Sequence, residues 1–142
     1  MRLHLLMLGK TRRPELRSVL DDYVKRISHH LPIAVLEVRD AAAALKRLDA
    51  NRAATTILLD AGGKSRTSEE FARWLADFRD RGPRDLFFLC GDADGFPESL
   101  RARGQQKLSL GTMTYSPELA RVMLAEQLYR ALAILSGSPY PK

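Results

Sequence analysis

A chain of 142 residues, 45% hydrophobic and 28% charged, is long enough to bury one core and has the balance of an ordinary globular domain. Its net charge of +6 and pI near 9.8 favour a polyanionic partner, because every phosphate that lysine or arginine neutralises releases counterions. A single cysteine excludes an internal disulfide framework and points to a reducing cytoplasm, three scattered histidines lack metal-ligand spacing, and no apolar run approaches the ~20 residues of a membrane span.

Residues 2–8 form the first expected strand, ended by Gly9; the apolar stretch is too short for a signal peptide and has no small-residue cleavage site. Pro14 opens a helix, as proline can at a first helical position, and Leu16, Val19, Leu20, Tyr23 and Ile27 give it one apolar stripe before Pro32. A second strand over 34–38 precedes an alanine-rich helix over 41–52, with Asp40 as its cap. A third strand at 55–60 ends in an acid and leads into a loop, 61–65. Thr67 and Glu70 have capping-box spacing, and Phe71, Trp74, Leu75 and Phe78 stripe the helix that Gly82 and Pro83 break. Residues 86–90 are apolar throughout, as in a central parallel strand, and the turn from Gly91 to Gly95 follows. A short helix over 97–103, a short strand over 107–109 and a long helix over 118–136 complete the chain. Strand and helix alternate with no linker or repeat, which predicts one three-layer α/β domain over 1–142 with a mainly parallel sheet.

Ligands in such sheets bind beyond the carboxyl ends of the strands, so the loops after Asp60, Cys90 and Ser109 are the ones to weigh. Gly63-Lys64-Ser65 imitates the end of a phosphate-binding loop, but Leu58 stands where the first glycine is needed, and no Gly-x-Gly-x-x-Gly follows the first strand. Gly91-x-x-x-Gly95 either lets backbone approach a ligand or is a plain turn capped by Asp92 or Asp94. The last helix is apolar on two sides, which predicts sheet against one and a partner subunit against the other. Glu126 and Arg130 lie four apart on it and can pair, and Arg121 interrupts it with a charge that needs a partner. Cys90 reads as a buried core residue, and no histidine is assigned a catalytic role.

Along nearly its whole length the chain resembles the RlmH-type methyltransferases of the SPOUT superfamily. The likeness is carried by Leu59-Asp60 with Gly62 and Lys64, by Gly91-x-x-x-Gly95-Phe96, and by Leu108-Ser109 with Met113-Thr114. Arg121-Val122, the run from Glu126 through Ala131, and Pro139-Tyr140 in the tail extend it. The resemblance implies a parallel sheet with a C-terminal trefoil knot, and a homodimer in which one subunit's tail completes the other's site. It implies S-adenosylmethionine as cofactor, held by Leu59, Gly91, Leu110, Gly111, Thr112, Met113, Thr114 and Tyr115. It implies methylation of N3 of a pseudouridine in 23S rRNA within the ribosome, without metal or membrane. Arg121, Arg130, Tyr140 and Lys142 would then face the RNA.

Four positions depart from the family pattern: Asp92 replaces a second glycine, Gly111 a common serine, Ser116-Pro117 a Pro-His pair, and Pro141 the tail histidine. Proline offers no side-chain proton acceptor. Stabilising a deprotonated acceptor base therefore falls to Tyr140, Arg130, Arg121 or Lys142, or solvent takes the proton. Two alternatives keep the fold: a non-catalytic dimeric RNA- or ribosome-binding protein, and a methyltransferase with another RNA substrate.

Overall fold

The computed structural model describes residues 1–140. Five strands, β1 (Arg2–Leu8), β2 (Ile33–Val38), β3 (Thr55–Ser65), β4 (Asp85–Cys90) and β5 (Gln106–Ser109), form one parallel sheet in the order β2-β1-β4-β3-β5. The helices are α1 (Pro14–Ser28), α2 (Ala41–Asp49), α3 (Ser68–Arg81), α4 (Glu98–Arg101) and α5 (Pro117–Ser136).

The three layers follow from the two-residue alternation hidden inside the continuously apolar strands. Leu3, Leu5 and Met7 of β1, with Ile57, Leu86 and Phe88, face α1, α3 and α5. Leu6, Leu8, Leu58, Phe87 and Leu89 point the other way, onto Ala44 and Leu48 of α2 and Leu100 of α4. Each such leucine contributes about 1.5–3 kcal/mol by leaving water.

The helix starts are chemically specified. Asp40 accepts the Ala43 N–H at 2.9 Å, Thr67 and Glu70 close a capping box, and Ser116 accepts the Leu119 N–H. The α1 start has no side-chain cap of its own. Glu118 of α5 reaches across instead and accepts the N–H groups of Arg12 and Arg13 at 3.0 and 2.9 Å.

Two expectations change. The loop expected at 61–65 is the end of β3: after a bulge, Lys64 and Ser65 pair with Leu108 and Ser109, so the ladder to β5 resumes. Helix α2 stops at Asp49 rather than at 52, because Asn51–Ala54 close a turn (Ala54 N–H to the Asn51 carbonyl, 3.1 Å). On α5, Leu124, Ala125, Leu128, Ala131 and Leu132 are buried against the sheet side, while Leu119 and Ile134 are 42% and 37% exposed.

Acid is expected to weaken this fold. At the base of the sheet His4 Nε2 lies 2.8 Å from Asp85 and stacks on Phe87, and the bond to His4 holds the Asp85 carboxyl below its ordinary range. Burial pushes Glu37 up, but bonds from Thr11 and Arg17 outweigh it and hold that carboxyl low as well. A carboxyl whose folded pKa is depressed stabilises the protein above its unfolded value, near 4, and that contribution is lost as pH falls through the folded value. The urea midpoint should hold between about pH 7 and 5 and fall below about pH 4, with Asp85→Asn flattening part of the fall. A midpoint independent of pH down to 3 would contradict this assignment.

Candidate functional site

The site grows from the carboxyl edge of the sheet. Strand β4 ends at Cys90, β3 carries Leu59 and Asp60 near its bulge, and β5 ends at Ser109. The loops that follow, with the first turn of α5 (Pro117, Ala120), wall a cleft of about 210 Å³.

The cleft is built mainly from backbone and apolar side chains. Asp92 and Gly95 close the turn after β4, and a Cβ on Gly91 would stand 3.2 Å from the Gly95 carbonyl group, so this approach requires glycine. Gly111 has φ +151°, outside the range that side-chain-bearing residues adopt comfortably, and sets the path of the loop after β5. Ser109 joins two of the walls. Its hydroxyl accepts the Gly111 N–H at 3.1 Å and lies 3.1 Å from the Ala61 carbonyl oxygen.

The charged rim is partly spent. Asp60 accepts from the Gly62 N–H at 2.9 Å and from Arg101 at 2.8 Å, and these two bonds hold its carboxyl low. Asp92 uses one oxygen to accept the Asp94 N–H at 2.9 Å, which confirms a capping role for it. Burial pushes the Cys90 thiol up to about 12, so at neutral pH it is an inert core thiol at the cleft's edge, as the sequence suggested. Among the described residues no group of three His, Cys, Asp or Glu side chains converges as a metal site, and no helix is long and apolar enough to cross a membrane.

Of the residues singled out in the sequence, Leu59, Gly91, Leu110, Gly111, Met113, Thr114 and Tyr115 all line this cleft. Thr112 belongs to the same loop but is exposed and does not line the walls. Asp60, Asp92, Phe96 and Arg101 also line it and were absent from the expected set. Their signal was positional: each sits in or just after the two motifs that end β3 and β4.

Arg121 requires a correction. It is not on an RNA-facing surface: it is 1% exposed, and it donates to the Leu8 carbonyl at 2.6 Å and to Thr11 Oγ1 at 2.8 Å, with Glu37 3.6 Å away. A guanidinium in the middle of an apolar helix is tolerated because it ties α5 to the end of β1 and to β2.

Arg130 and Tyr140 lie together, away from the cleft walls. Glu126 accepts from Arg130 Nη2 at 2.6 Å and from the Tyr140 hydroxyl at 2.7 Å. Tyr140 also meets the Tyr23 hydroxyl at 3.2 Å and packs edge-on against Tyr129. Burial, with the bonds to Tyr23 and Glu126, raises the Tyr140 phenol, and the bond to Glu126 raises Arg130, so both remain protonated at neutral pH. Glu126 also lines a second groove, of about 560 Å³, formed by Val19 and Tyr23 of α1, Phe71 of α3 and Val122 and Met123 of α5. Leu110 is a wall of both hollows, so the groove adjoins the cleft. Lys142 and Pro141 lie outside the described residues.

The fold and the cleft define an α/β protein that receives a small ligand at the carboxyl edge of a parallel sheet. Residues 1–141 match the family described as "Predicted SPOUT methyltransferase". The chain belongs to the SPOUT methyltransferase family. It is 42% identical to a protein of Dinoroseobacter shibae named ribosomal RNA large subunit methyltransferase H, across 99% of this chain and 98% of that one. It is 39% identical to a protein of the same name from Koribacter versatilis, across 99% and 97%. Among solved structures, a probable methylase family protein of Haemophilus influenzae Rd KW20 shares the fold at TM-score 0.61 and 10% identity, covering 99% of this chain and 70% of that one. The SpoU methyltransferase AviRb of Streptomyces viridochromogenes, solved with AdoMet, shares it at TM-score 0.55 and 12% identity; the chain spans 58% of that longer protein.

Proposed function

We propose that the protein is an S-adenosylmethionine-dependent methyltransferase acting on N3 of a pseudouridine in 23S rRNA, in the ribosome, as a cytoplasmic homodimer. The likeness to ribosomal RNA large subunit methyltransferases H over the whole chain carries this reading. The cleft fits the cofactor's chemistry. Leu59, Phe96, Leu110 and Met113 offer apolar walls to a purine, glycine backbones give close polar contacts, and Asp92 places a carboxylate beside a cation.

When bound, the sulfonium supplies an electrophilic methyl group. For its part, N3 must shed a proton before it attacks. Tyr140, held protonated, is a hydrogen-bond donor rather than a base, and Arg130 is a fixed cation; both suit the anion that develops on the ring. Glu126 orients the pair by accepting from each. Because the three lie off the cleft of their own chain, this reading takes them from a second subunit, docked through the apolar groove beside α5. The trefoil knot belongs to the same reading. It is supported by the strand β5 lying against both sides of the β3 bulge, where Leu59 and Lys64 each pair with Leu108.

Labelled methyl transfer to ribosomes lacking this modification tests the proposal. Native protein should transfer, and Tyr140→Phe should lower kcat roughly tenfold or more, as loss of one positioned polar group does. Failure of the native protein and of Pro141→His, with cofactor binding intact, would favour the second reading, a dimeric RNA-binding protein. That reading rests on proline standing where the family carries its tail histidine.

A further inference from the structure

The segment between β1 and α1, residues 9–13, is fixed by its backbone and leaves its cations free. The Gly9 N–H is bound to the Val38 carbonyl and the Thr11 N–H to Glu37, both at 2.7 Å. The Thr11 carbonyl accepts from Arg17 at 3.0 Å, and the Thr11 hydroxyl accepts from buried Arg121. Glu118 holds the next two N–H groups. Lys10, Arg12 and Arg13 are exposed on this frame. Beside them, Arg39 follows the last residue of β2 with its side chain 91% exposed. Among the described residues Lys10 and Arg12 form no ion pair. Arg13 and Arg39 make only open surface contacts, to Glu15 at 3.5 Å and to Asp40 at 3.7 Å, of a kind that a phosphate displaces at little cost.

The frame is mounted on the site. Glu118 lies in the first turn of α5, between Pro117 and Ala120, which wall the cleft, and β1 pairs with the strand that ends at Cys90. We propose that Lys10, Arg12 and Arg13 form a rigid clasp for the phosphodiester backbone of RNA, holding the strand whose base enters the cleft. The inference rests on the RNA-methyltransferase reading above. Its physical basis is that fixing the loop in advance removes the ordering cost that flexible lysine and arginine segments carry on binding.

The test is equilibrium binding of the full chain to large ribosomal subunits across a salt series, using the triple variant Lys10→Ala, Arg12→Ala, Arg13→Ala. Native thermal unfolding and unchanged affinity for S-adenosylmethionine serve as controls. The variant should bind subunits at least tenfold more weakly at about 0.1 M salt, with the slope of log affinity against log salt reduced by about two, since each lost phosphate contact removes roughly 0.7–0.9. Arg12→Lys with Arg13→Lys should restore most of the binding, because the clasp reads charge. Equal affinity and slope in the triple variant overturn the clasp, whatever the enzyme's activity. Loop-dependent binding without methyl transfer by the native protein supports the clasp and overturns the catalytic reading. Absence of subunit binding by the native protein overturns both.

Discussion

Arg121→Met should lower the free energy of unfolding by about 3–5 kcal/mol, as loss of one member of a buried charged network does. The side chain is 2% exposed, and its removal strands the Leu8 carbonyl, the Thr11 hydroxyl and one side of Glu37 in an apolar interior. Methionine fills similar volume, so the loss reports polar partners rather than a cavity. A fall in melting temperature of roughly 10 °C is expected for a domain of this size. The double variant with Glu37→Gln should cost less than the sum of the singles, because the two share a network. A change below about 1 kcal/mol for Arg121→Met alone would show that Arg121 is dispensable to the fold. The burial of its charge would then have no stabilising role.

The second large effect is expected at Gly91. A Cβ there would lie 3.2 Å from main-chain atoms of Gly95, tighter than backbone readily yields to. Gly91→Val adds a branched side chain at that point and should force the turn over residues 91–95 outward, away from the cleft it lines. Overpacking of this kind costs about 1–3 kcal/mol, and expressed on the ligand it weakens S-adenosylmethionine binding by roughly 5- to 150-fold. Calorimetric titration of the cofactor checks it. Native affinity in a correctly folded Gly91→Val protein would sink the assignment of this turn to the ligand.

Much of the architecture was legible because it is locally encoded. The continuous apolar run at 86–90 becomes the buried strand β4, and Thr67 with Glu70 forms the capping box its spacing suggests. The glycine pair at 91 and 95 and the stretch from Leu110 to Tyr115 meet at one cleft, because the strands preceding them are parallel and all loops of one polarity leave the same edge. The resemblance to a methyltransferase family was legible from the same motifs, and the family match over residues 1–141 agrees with it.

What local pattern did not carry are the long-range pairings. A helix sequence shows that Arg121 needs a partner but not that β1 and β2 supply it, since Leu8 and Glu37 are more than eighty residues away in the chain. Nor does the sequence show that Glu118 caps a different helix, or that β3 resumes after its bulge by pairing with β5. The sequence by itself determined the strand and helix order, the parallel sheet and the cleft-forming loops, because these follow from periodicity, capping and turn chemistry within a few residues. Tertiary structure alone decided which charges are buried struts and which remain free, because the partner of a polar group depends on which distant segments the sheet brings together.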